Sequence, residues 1–283
     1  MVKYDPELKI KPVIPNKIPS IYFIGSHFLA AKNIQCVGAE GNVFEHYPKL
    51  LVRTNIERDE AGRQIRFTPY QAILHMEQSG LFLPSPALCC NYAAAVFKHA
   101  VRLEADGSYT TLDAEIKKVL DQYYDHGAWR GWHALNGVID YSRQKIIHYP
   151  HDADFPAYEC TRNINSSRQR IELPFEKIKN NELFADNNVF HVLHNQPLEK
   201  GLQGPLVTYF IKQLTGLRDP SILIEIGEYF ERTARMWFPT NPVKAEDCVG
   251  TKAAWFGCGS SSFNLSCGNN LDFDSPARGV LEI

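Results

Sequence analysis

An α+β fold is predicted, with buried helices of the N-terminal half packed on a mainly antiparallel sheet. Three observations predict it. Helix-like and strand-like segments are interspersed over 283 residues without a regular βαβ alternation. Two segments of the first half carry helix punctuation, Thr68-Pro69 and Ser85-Pro86. The tail breaks into short β-rich runs separated by Gly, Ser and Asn.

The elements follow in order. Residues 1–20 carry four prolines and little periodicity, which predicts an extended arm. "SIYFIGSHFLAA" (20–31) is a mixed apolar run, strand or short helix, and "NVFEHYPKLLVRTNI" (42–56) predicts a strand ending in a turn at "RDEAGRQ". In 68–80, Thr68 caps a helix, Pro69 opens it and Gly80 closes it. Residues 85–107 repeat the device, with Asp106-Gly107 as terminator. Leu88, Cys89, Cys90, Tyr92, Val96, Phe97 and Ala100 cover most of that helix's circumference, so it is expected to be buried. Residues 111–127 predict an amphipathic helix with Leu112, Ile116, Val119, Leu120 and Tyr123 on one side. A β-hairpin follows, 132–141 and 145–149 around "SRQ". Helices are expected at 174–185, 204–216 and 219–233, the last capped by Asp219 before Pro220. The tail strands are "ARMWFP", "KAAWFGC", "SFNLSC" and "ARGVLEI". The chain is expected to be one compact unit, 1–283. Any subdivision would fall at the polar stretch 157–170, giving lobes 1–157 and 171–283.

Composition narrows the function. Apolar residues are 44 % and charged residues 22 %, which excludes wholesale disorder. A net charge of −2 carries no strong nucleic-acid signal. Arg162, Arg168 and Arg170 lie in a Ser/Asn-rich stretch that predicts a solvated loop. No run approaches the length of a membrane span, and residues 1–20 lack the apolar region of a signal peptide. Seven cysteines, odd in number and irregular in spacing, fit reduced thiols and a cytoplasmic setting. No CxxC pair, HExxH motif or phosphate-binding glycine loop occurs, and no cofactor is expected.

A cysteine hydrolase or acyltransferase needs a thiol of lowered pKa, an imidazole within hydrogen-bond reach and a polar group to orient that imidazole. The chain offers Cys89 and Cys90 near the start of a buried helix, and His133 and His148 in "GWHALNGVIDYSRQKIIHYPHD". Asn136 and Asp140 are further orienting candidates, and Gln78 a candidate oxyanion donor. The hairpin "WHALNGVIDYSRQKIIHYP" resembles the His-containing hairpin of the NlpC/P60 and lecithin:retinol acyltransferase-like superfamily of papain-like thiol enzymes. The resemblance covers 131–150 and lacks the Asn-Cys-Glu-His box of the acyltransferases. It implies His133 as general base, His148 as orienting group and Cys90 or Cys89 as nucleophile, or Cys248 if the order is permuted. A peptide or acyl substrate would follow. Two other readings compete. His148, His151, Asp152 and Asp154 form an imidazole–carboxylate cluster of the kind that supports metal-dependent hydrolysis, and His191 and His194 stand a helical turn apart. Aromatic residues are plentiful, with Trp129, Trp132, Trp237 and Trp255 beside polar turns. That suits a non-catalytic binding or assembly protein.

Overall fold

The computed structural model describes residues 19–25, 27–55, 57–123, 131–141, 143–150, 170–175, 196–237, 251–258, 262–269 and 277–283. Over them the chain is α+β, as its interspersed pattern predicts. One sheet has the order β1-β2-β3-β13: β1 (Ser20–Ile24), β2 (Phe28–Val37), β3 (Val43–Arg53) and β13 (Val280–Glu282), all antiparallel. The larger sheet has the order β8-β7-β6-β11-β12-β10-β9. Its strands are β6 (Gly131–Asp140), β7 (Lys145–His148), β8 (Ile171–Pro174), β9 (Gln196–Pro197), β10 (Thr233–Trp237), β11 (Thr251–Cys258) and β12 (Ser262–Asn269). Its parallel pair is β10 with β12. A separate hairpin joins β4 (Val101–Leu103) to β5 (Tyr109–Thr111).

Helix α1 (Pro69–Gln78) forms as its punctuation dictates. The Thr68 side chain accepts from the Gln71 N–H, and Gln71 reaches back to Thr68, a full capping box. Gly80 closes the helix at φ +66°, letting the Leu81 N–H reach the Met76 carbonyl. Helix α2 (Pro86–Ala100) is the buried helix of the fold. It packs on β2 of one sheet, on β6 and β11 of the other, and on α3 (Ala114–Tyr123), α5 (Pro205–Thr215) and α6 (Ile222–Tyr229). Elements apolar all round have nowhere else to go. The short α4 (Leu198–Leu202) leads into α5.

Several boundaries differ from expectation. Residues 20–31 form not one element but the β1–β2 hairpin, turned at Gly25 with φ +64°. Helix α2 stops at Ala100, because Val101 goes extended and pairs with Thr111. Asp106-Gly107 is therefore the β4–β5 hairpin turn and not a helix terminator; the Gly107 N–H bonds the Glu104 carbonyl. Helix α3 starts after Leu112, which is left 49 % exposed instead of on the apolar face. Asp113 caps it by accepting from the Glu115 and Ile116 N–H groups. Helix α6 is shorter than 219–233, since Thr233 already pairs in β10. The helix expected at 174–185 begins on Pro174, the last residue of β8; positions beyond Phe175 lie outside the described residues, as do 1–18 of the arm.

Strands on either side of 157–170 share both sheets. β7 pairs with β8 and β6 with β11, while β13 pairs with β3.

Candidate functional site

The start of α2 is where a thiol site would lie. Its N-cap is Ser85, buried, whose Oγ accepts from the Leu88 N–H at 3.0 Å. The same hydroxyl donates to Glu45 Oε2 at 2.7 Å, and Tyr47 donates its hydroxyl to Glu45 Oε1 at 2.5 Å. Glu45 is itself buried, so the carboxylate is held by these donors beside the positive end of the helix. Cys36 lies against it. Burial, with the Glu45 charge next, pushes the Cys36 thiol well up.

Cys89 and Cys90 come after this arrangement. Counting from the Ser85 cap, they are the fourth and fifth helical residues, and the Cys89 N–H already bonds the Ser85 carbonyl. The unbonded amides that stabilise a thiolate belong to the first turn and are behind them. Both side chains are buried, Cys90 completely. Desolvation pushes the Cys89 thiol up to about 12, with the Arg278 charge only partly opposing it. Tyr92, one turn on, is pushed up for the same reason. Arg278 is a buried cation that donates through Nη1 to the carbonyls of Arg53 and Thr54 at 2.9 and 2.7 Å.

His148 is a core residue. Its Nε2 donates to the Gln213 carbonyl at 2.9 Å, which fixes the tautomer and leaves Nδ1 as a buried acceptor with no hydrogen-bond partner among the described residues. The ring stacks on Phe44 with centroids 5.1 Å apart. Burial lowers its pKa to about 4, so the imidazole is neutral at physiological pH. Gln213 ties α5 to the β2–β3 turn: its Oε1 accepts from the Ala39 N–H, and its Nε2 donates to the hydroxyl of Tyr209, one turn earlier in the same helix.

The hairpin register separates the two histidines. His148 pairs with Gly137, whereas His133 pairs with Phe256 of β11. Three residues of β6 lie between His133 and Gly137, a span on the order of 10 Å. A bulge intervenes: β6 advances from Ala134 to Val138 while β11 covers only Trp255 to Ala253. In the bulge the Asn136 N–H turns to the Pro84 carbonyl at 2.8 Å, and its own carbonyl accepts from the Tyr149 N–H. Asn136 and the bulge thus tie β6 to the approach of α2. Asp140 is occupied at the β6–β7 turn, accepting from the Arg143 N–H. Gln78 is exposed in the last turn of α1.

The structure therefore brings Glu45, Tyr47, Ser85 and Cys36 together, none of which the sequence nominated. Among the described residues it does not bring His148 to a thiol through any hydrogen bond. Cys248, His151, Asp152, Asp154, His191 and His194 lie outside the described residues. Among the described residues no group of three His, Cys, Asp or Glu side chains suits a metal ion, and no helix is long and apolar enough to cross a membrane.

The surface offers a different feature. Sheet edges are commonly blunted by charge, proline or brevity. β8 carries Glu172 and Pro174, β9 is two residues with Pro197, β13 is three residues with Glu282, and β4 and β5 are three residues each. β1 has five residues, no charge and no proline, and ends in Phe23 and Ile24, 36 % and 37 % exposed.

No protein-family model matches this chain, and neither the curated proteins nor the solved structures give a match. The resemblance of 131–150 to the papain-like thiol enzymes accordingly rests on those residues alone.

Proposed function

We propose that this chain is a non-catalytic binding protein that takes a partner along the outer edge of β1. The observation that carries this reading is that edge: an uncharged strand with two exposed large apolar residues and one unpaired side among the described residues. Such an edge is a template for strand addition. The peptide substrate implied by the hairpin resemblance becomes, in this reading, a peptide that is held and not cleaved. Hydrolysis or acyl transfer through Cys90, Cys89, His133 and His148 draws no support from the surroundings of the two thiols or of His148, because a buried neutral thiol is a poor nucleophile.

Iodoacetamide labelling of the native chain from pH 5 to 9, read by peptide mass spectrometry, tests the reading. Cys36, Cys89 and Cys90 are expected to label only on unfolding. Selective labelling of any cysteine below pH 7, slowed by His133→Ala, overturns the proposal in favour of a thiol enzyme.

A further inference from the structure

The face of the first sheet next to that edge carries an unbalanced charge. The register places Ser20, Lys32 and Lys49 in one row across β1, β2 and β3. Directly opposed like charges on neighbouring strands repel. Among the described residues neither lysine has a carboxylate partner; Lys32 instead sets its Nζ over the Tyr22 ring, 5.1 Å from the centroid. Tyr22 belongs to β1, so the ammonium is carried from the second strand out over the edge strand. There it stands within side-chain reach of a strand added beside β1. Arg53, on the same face, is already paired with Glu57.

We infer that the occupant of the β1 edge is an extended peptide segment bearing carboxylates, docked as a fifth strand with its acidic side chains toward Lys32 and Lys49. This rests on the binding reading above and names its partner. Main-chain hydrogen bonds to the outward amides and carbonyls of Ser20–Ile24 supply attachment, and Phe23 and Ile24 cover the partner's apolar side chains. The two lysines supply selection, since an incoming carboxylate relieves their mutual repulsion while an incoming cation adds to it. A second copy of β1 satisfies the edge less well, because "SIYFI" brings no carboxylate.

The test uses the full chain with two capped, fluorescein-labelled heptapeptides, one alternating Glu and Val, the other Lys and Val. Binding is read by anisotropy, and its location by hydrogen exchange of Ser20–Ile24. The Glu-Val peptide is expected to bind, to protect those amides and to weaken with added salt. The double variant Lys32→Glu/Lys49→Glu is expected to lose about tenfold in affinity for it and to prefer the Lys-Val peptide. Equal protection of β1 by both peptides overturns the acidic preference and leaves edge binding standing. Concentration-dependent self-association that protects β1 overturns the peptide in favour of a second copy. Fast exchange of β1 with either peptide, in a chain that stays monomeric, overturns the edge reading as well.

Discussion

Stability should depend on His148 in the weakly acidic range. Its folded-state pKa of about 4 lies below the ordinary 6.5 because the ring is fully buried, stacked on Phe44; the hydrogen bond to the Gln213 carbonyl opposes that shift only in part. A proton therefore prefers the unfolded chain. The contribution is fully present above about pH 6.5 and is lost as pH falls toward 4, reaching about 3 kcal/mol at the end of the window. Roughly 2 kcal/mol of it is gone by pH 5. Other histidines and carboxylates titrate in the same range, so the His148 part must be isolated as a difference. His148→Phe keeps an aromatic ring against Phe44 and removes the titration. It also strips the donor from the Gln213 carbonyl, costing about 1–3 kcal/mol at neutral pH. Urea unfolding of both chains at pH 7.5 and pH 5 gives the four free energies needed. The wild-type advantage should shrink by about 2 kcal/mol on acidification. An advantage that stays constant within about 0.5 kcal/mol refutes the neutral buried imidazole.

Three further outcomes are expected. Gly137→Ala puts a Cβ 2.3 and 2.5 Å from Cδ and Cγ of Pro86, a rigid ring at the start of α2. It should destabilise by about 1–3 kcal/mol in urea unfolding, and a neutral result would contradict the close approach of β6 to α2. Ser85→Ala removes the α2 cap and a hydroxyl donor to buried Glu45, and should cost about 2–3 kcal/mol by the same assay. Glu231 sits at φ +55° after α6, with the Arg232 N–H on the Gly227 carbonyl and the Glu231 N–H on the Glu228 carbonyl. Glu231→Gly should raise stability by about 1 kcal/mol, seen as a higher Tm, because glycine takes this conformation without the steric penalty.

Much of the fold was legible because its signals are local. Thr68-Pro69 with Gly80 defines α1 within one stretch of chain, and the all-round apolar pattern of α2 needs no partner to be recognised as buried. Errors arose where a local signal serves two structures. Asp-Gly ends helices and also turns hairpins, and only the pairing of Val101 with Thr111 decides between them. The β6 bulge was invisible for a similar reason. It is set by the Asn136 N–H reaching Pro84, a contact formed only once α2 has docked.

The candidate site was less legible, and the reason is a matter of one helical turn. A cysteine near a Ser-Pro helix start suggests a thiolate at the positive end of the helix. That electrostatic benefit fades within the first turn, and Ser85 already uses the Leu88 amide there. Four and five residues past the cap, Cys89 and Cys90 are both buried, and in Cys89 desolvation outweighs even a neighbouring arginine. Glu45 takes the place at the helix start that the thiol was expected to hold. Its link to Ser85 spans 40 residues, and that from His148 to Gln213 spans 65, so neither can be found by local spacing. The β1 edge differs in kind. Its lack of charge and proline is written in five consecutive residues, but it becomes informative only when the sheet order leaves that strand outermost among the described residues, while every other edge described there is short, charged or proline-bearing.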